Sequence, residues 1–342
     1  MPGSTVYDLV TTTGDIYNLL AGNTNNVMHD AILRFPMVDA GGGTMIPATA
    51  LVQALGLQPT FATLWTGNND VLGAAVAATP IEGITMTPVS VFQDLYFQAL
   101  GALATSGADI VVFKIAGITG IPFVTFLPNY VDVPGFGPVQ LVGEYGPIGD
   151  DDYVTLGASA LIAQGYGLPG GPPLPEDINP ATGDYGVILR AAEIDVIEAQ
   201  VAAFNGIIEA AAAQFGAHVF DTEAIFEEAV THGWHLGGHV FNGDFLTGGM
   251  FSYDGVHLQN IGYAYVASKL IDYVNQTFGT TIPQVNMEQI LCYGACAGQG
   301  VPPGTDPKSV VFSDAAFDSL KAVFPIDLEQ LRQQRVRGYE TN

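Results

Sequence analysis

Asp254 and His257 stand three residues apart in a loop that reads Asp254-Gly255-Val256-His257. The carboxylate can accept a proton from one ring nitrogen and leave the other nitrogen free as a base. A second segment, Gly67-Asn68-Asn69-Asp70, follows directly on the apolar run Phe61 to Trp65. Acyl-transfer chemistry needs donors for an oxyanion, a base, and a group that holds the base. Neither segment is specific by itself. Asp-x-x-His also describes a loop histidine bonded to a capping aspartate, and Gly-Asn-Asn-Asp also describes a turn rich in residues that tolerate left-handed backbone.

Other reactive groups carry less. His232, His235 and His239 have a spacing that could ligate zinc, but loop histidines also line surfaces, and no metal is expected. Gly41-Gly42-Gly43 is not followed by Gly-Lys-Ser/Thr and is no phosphate loop. Cys292 and Cys296 lack two further ligands nearby for zinc and read as a small disulfide loop.

The elements that must position these residues alternate between strand and helix. Thr60 to Thr66, Ala108 to Ala116 and His218 to Asp221 read as buried strands. Val89 to Ser106, Ala191 to Phe215, Thr222 to Val230 and Ile261 to Phe278 read as helices. The last places Tyr263, Ala267, Leu270, Ile271 and Val274 on one face, with Gly279 as its stop. This alternation implies a parallel sheet covered by helices, with sites at the carboxyl ends of strands. Residues 117–186 are dense in Gly and Pro and read as a loop-rich insertion or cap. Residues 286–342 form a C-terminal tail, with a strand-like run Val310 to Phe312 and a helix Ala315 to Val323.

Apolar residues make up 48% of the chain, enough for a packed core. Thirty-four acidic residues face nine basic ones, a net charge of −25. That balance excludes nucleic acid and anionic membrane surfaces as partners, because phosphate-neutralising side chains are missing. No uninterrupted apolar stretch reaches the ~18–20 residues of a spanning helix. Met1-Pro2-Gly3-Ser4 has neither the basic nor the apolar segment of a signal peptide.

Phe251-Ser252-Tyr253-Asp254-Gly255-Val256-His257-Leu258, followed by Gly262-Tyr263-Ala264, is similar to the final block of the SGNH (GDSL-type) hydrolase family. There Asp-x-x-His supplies two triad members, which the resemblance carries to Asp254 and His257. Gly67-Asn68-Asn69-Asp70 resembles the family's Gly-x-Asn-Asp block. It makes the Asn69 amide an oxyanion donor and Asp70 a support of the loop. Met1-Pro2-Gly3-Ser4 resembles the second block, whose glycine N–H, here that of Gly3, is the other oxyanion donor.

The resemblance spans roughly Met1 to Val285 and is closest to the larger secreted members with a long mid-chain insertion. It implies an α/β fold with a three-layer α/β/α flavodoxin-like parallel sheet. It implies a carboxylic ester hydrolase, an esterase or lipase without cofactor, working on small-molecule or lipid-like esters in a secreted or cell-envelope setting.

One part is missing. The family begins with a strand ending in Gly-Asp-Ser, and this sequence starts at the second block. The expectation is therefore a sheet without the family's first strand and a site without its nucleophile. A non-catalytic relative, or a truncated fragment acting as a binding or surface protein, is the alternative. Ser4 and Ser313 are the substitutes to consider for the nucleophile. The open edge of the Thr60 to Thr66 strand would be bare, or covered by Val310 to Phe312 or by a second copy of the chain in a homo-oligomer.

Overall fold

The computed structural model describes residues 3–14, 16–21, 27–34, 36–39, 42–236, 239–290 and 311–339. The fold is mixed α/β with a small parallel sheet. Cys292 and Cys296 lie outside the described residues. The chain divides into two compact units. One comprises Met1–Val71, Thr87–Ile115 and Gln200–Phe220; the other comprises Leu72–Met86, Ala116–Ala199 and Asp221–Asn342.

The first unit holds the sheet. Phe61–Leu64 pairs in parallel with Asp109–Phe113, which pairs in parallel with His218–Phe220. Among the described residues Phe61–Leu64 is an edge strand and Asp109–Phe113 is central. Ile110, Val111, Val112 and Phe113 are all buried, as expected of a parallel strand covered on both faces. Parallel neighbours need crossover connections, and the helix Val89–Ala104 lies in the first of them. Its Phe92 stacks on Phe204 with ring centroids 3.9 Å apart. Asn205 accepts the Ile115 N–H at 2.7 Å and donates to the Ile115 carbonyl at 3.0 Å. A buried side-chain amide thus continues the hydrogen bonding of the central strand past its carboxyl end.

The helix Ala191–Phe215, expected over those residues, has the length and mean hydropathy of a membrane span. Half of its most apolar stretch is buried within the protein, the pattern of a core helix. It is the one such helix among the described residues.

The second unit contains the insertion. This is built of short antiparallel pairs, Tyr130–Val133 with Gly137–Gln140 and Tyr153–Val154 with Ile188–Leu189. Arg190, directly after Ile188–Leu189, binds the segments around residues 146–152 and Glu176. Its guanidinium donates to both carboxylate oxygens of Glu176 at 2.8 and 2.7 Å, to Asp152 at 2.8 Å, and to the carbonyls of Pro147 and Gly146. Glu176 is 2% exposed, so its charge is held by this fork and by the Tyr145 N–H.

Two sequence expectations are corrected in this unit. On Asn260–Phe278 Val274 is buried as expected and Ala267, Leu270 and Ile271 are half-buried, but Tyr263 is 50% exposed, and Ile261, Ala264, Tyr265 and Val266 are buried instead. The first two turns carry apolar residues almost all round, so spacing alone did not choose the buried side. Of the strand-like run Val310 to Phe312, Val310 lies outside the described residues and Val311 and Phe312 form no strand; the Phe312 N–H donates to Ser159 Oγ, and Asp314–Lys321 is the helix that follows. Gly279 does end Asn260–Phe278, in left-handed backbone at φ 66°.

Candidate functional site

The loop carrying Asp254 and His257 is closed on itself. Phe251 and Leu258 form an antiparallel bridge, and the Ser252 N–H donates to the His257 carbonyl at 2.7 Å. Gly255 has φ 69°, and a Cβ there would lie 2.8 Å from the Phe123 backbone nitrogen. That nitrogen donates to the Gly255 carbonyl at 2.9 Å, so the close approach is also a bond. A side chain at this position would push the loop off its support.

The side-chain bonds within the loop converge on Asp254. Its Oδ1 accepts from Ser252 Oγ at 2.5 Å and from the Val256 and His257 N–H groups at 2.9 Å each. Its Oδ2 lies 2.7 Å from His257 Nδ1. The carboxylate is acceptor-only, so Nδ1 carries the proton and Nε2 is the basic nitrogen. Burial would raise the Asp254 carboxyl, but the bonds from His257, Ser252 and the two backbone donors outweigh it and hold it at about 2. The hydrogen bond to Asp254 raises His257 above the ordinary imidazole value against a smaller desolvation effect. The ring is 54% exposed, so Nε2 belongs to an accessible group.

In the other unit the segment after Phe61–Leu64 turns at Gly67, with φ 113°. A Cβ on Gly67 would lie 2.8 Å from Ile115 Cδ1 and 3.1 Å from the Phe92 ring. Asn69 Nδ2 donates to the Ser4 carbonyl at 2.8 Å, and Asp70 Oδ2 accepts the Val6 N–H at 2.9 Å. These two bonds bring Asn69 beside the Gly3–Ser4 segment, although more than sixty residues separate them. Asp70 is 1% exposed and also accepts from Thr87 Oγ1. Burial, opposed by these bonds, raises its carboxyl to about 7. Among the described residues the Asn68 Oδ1 atom is buried without a hydrogen-bond partner.

Thus Asp254 and His257 are paired in one unit, and Gly3 and Asn69 are neighbours in the other. Ser313 is a helix cap, its hydroxyl accepting the Ala316 N–H. Asp221, polar at the end of a strand, likewise caps Thr222–His232 by accepting the Ala224 N–H. Trp234 packs on Tyr265, with ring centroids 5.1 Å apart. His232, His235 and His239 are exposed, and among the described residues no group of three or more His, Cys, Asp or Glu could hold a metal ion. Sequence reasoning missed Ser252 as a partner of Asp254; a hydroxyl two residues before the aspartate was the available signal.

Comparison with family models, with curated proteins and with solved structures finds no match for this chain.

Proposed function

We propose that this chain carries the base and the oxyanion donors of an SGNH-type carboxylic ester hydrolase acting on small-molecule or lipid-like esters. The observation that carries the reading is the 2.7 Å bond between His257 Nδ1 and Asp254 Oδ2, in a loop that fixes the carboxylate through three further bonds. His257 removes the proton of the nucleophile and returns it to the leaving alcohol. Asp254 orients the ring and stabilises the imidazolium. The Asn69 amide and the Gly3 N–H take the negative charge that develops on the carbonyl oxygen.

Two features support the same reading. The three parallel strands run in chain order across the sheet, as the last three do in a flavodoxin-like order of 2-1-3-4-5. The Asn69–Ser4 bond makes neighbours of the two segments assigned as oxyanion donors. The nucleophile of such a site is a serine in a Gly-Asp-Ser turn, a motif these 342 residues do not contain.

A second reading is a non-catalytic relative used in binding. It is favoured by the hydrogen bonding of His257, whose ring, among the described residues, is bonded by no serine hydroxyl. Hydrolysis of a short-chain nitrophenyl ester by the purified chain separates the two. Turnover that disappears in His257→Ala supports the hydrolase. A rate no higher than buffer, equal in both proteins, supports the binding protein.

A further inference from the structure

A cavity of about 630 Å³ opens in the second unit, walled by parts of residues 144–187 and by the helix Asp314–Lys321. It is of the size that takes a small organic ligand. None of His257, Asp254, Asn69 or Gly3 lines it.

Its chemistry is one-sided. Five carboxylates line it, including Asp314 and Asp318 one turn apart on the same helix, against a single ammonium, that of Lys321. Four aromatic residues, Tyr145, Tyr166, Tyr185 and Phe317, share the wall with Leu161, Ile178, Val187 and two prolines. Acidic walls around a recess concentrate cations and repel anions. Aromatic faces add an attraction for a cation through the ring quadrupole.

Lys321 shows what this wall accepts. Its Nζ lies 5.0 Å from the centre of the Phe317 ring and 5.8 Å from that of Tyr185, with an Asp318 oxygen at 2.6 Å. An ammonium is therefore already seated on two rings with a carboxylate behind it. The rings are held by each other and by Phe324 and Phe123 outside the cavity. The Tyr185 hydroxyl donates to the Phe324 carbonyl, and Phe317 packs edge-on to Tyr185 and against Phe123. A preformed seat loses little freedom when a ligand arrives.

The same observations narrow the ligand. An anion meets five carboxylates. A chelated metal ion needs a group of ligating side chains, and the described residues contain none of three or more. A neutral sugar would leave the surplus charge unmatched. We propose that the cavity binds a small organic cation, an alkylammonium or quaternary ammonium with an apolar body, seated on Phe317 and Tyr185 against Asp314 and Asp318 in competition with the Lys321 side chain. This site is independent of the ester-hydrolase reading.

Calorimetric titration of the full chain with choline tests it, with 3,3-dimethylbutan-1-ol as the uncharged isostere and calcium chloride and cellobiose as controls. Saturable binding of choline, and none of the alcohol, is expected. Lys321→Gln vacates the seat and should tighten choline by roughly tenfold. The double variant Asp314→Asn, Asp318→Asn should weaken it by at least as much. Both aspartates are exposed, so the double variant should keep the parent melting curve. Absence of choline binding, equal binding of the alcohol, preference for calcium or cellobiose, or an affinity that neither variant moves would each overturn the proposal.

Discussion

His257 Nδ1 lies 2.7 Å from Asp254 Oδ2, and the other oxygen of the same carboxylate takes three hydrogen bonds from its own loop. The carboxylate is thus oriented before the imidazole uses it. The pair works as a unit because Gly255 lets the chain turn tightly enough to bring residues 252, 254 and 257 around one carboxyl group.

The first prediction concerns the His257 titration. The bond to Asp254 favours the imidazolium, so the ring should titrate above the ordinary value of 6.5. Its raised folded-state value adds stability that is fully present below the unfolded value and is lost as pH rises through the folded one. Asp254→Asn should bring the midpoint back down. Imidazole resonances followed by NMR across pH 5 to 9 check both, and a midpoint unchanged by Asp254→Asn would refute the coupling.

Asp70 should make the stability of its unit depend on pH in the opposite direction from a salt-bridged aspartate. Burial lifts its carboxyl from 3.8 to about 7. The folded state therefore holds a proton that the unfolded state has released, and stability falls as pH rises from about 4 to about 7. Denaturant melts at pH 4.5 and pH 7.5 should differ by a few kcal/mol from this group. Asp70→Asn cannot ionise and should remove that part of the slope. A slope that persists unchanged in the variant would show that other groups carry it.

Arg190 is the residue whose replacement should cost most in the insertion. Its fork binds Glu176 twice and Asp152 once, and Glu176 is 2% exposed. Removing one partner of a buried pair leaves the other charge uncompensated, at a cost of about 3–5 kcal/mol. Arg190→Met should lose roughly that amount. Arg190→Lys should recover only a part, since an ammonium cannot reproduce the planar fork. Urea unfolding measures the difference, and a loss below about 1 kcal/mol for Arg190→Met would sink the idea that this cluster holds the insertion.

Tyr96 offers a substitution in the stabilising direction. Its side chain is fully buried in Val89–Ala104, and among the described residues its hydroxyl has no hydrogen-bond partner. A buried unsatisfied hydroxyl costs about 1–3 kcal/mol. Tyr96→Phe keeps the ring stacked near Phe92 and removes that cost. Thermal unfolding should move up by a few degrees; a clear fall would mean that the hydroxyl is bonded in solution.

Much of the fold was legible in the sequence where the local signal was strong. Ala191–Phe215 was readable residue for residue, because it is rich in Ala and Glu and the few poor formers, Asn205 and Gly206 among them, are too isolated to break it. The central strand was readable from its continuous Ile-Val-Val-Phe run. The loop around Asp254 and His257 was readable because its partners lie within a few residues of one another. The short antiparallel pairs of residues 130–189 were not, since strands of two to four residues carry too few positions to show a period.

The sequence by itself determined which groups could act: a local Asp–His pair, a Gly-turn bearing Asn69, and an acidic chain with few cations. Only the tertiary structure decided what surrounds them. It set Asn69 against Ser4, buried Asp70 beside Thr87, and laid the Lys321 ammonium on Phe317 and Tyr185. Apart from the Lys321–Phe317 contact within one helix, those relationships join residues from 17 to 136 positions apart. Spacing along a chain encodes contacts within a helix or a loop. Contacts between distant segments depend on how whole elements pack, and burial and proton affinity follow from that packing.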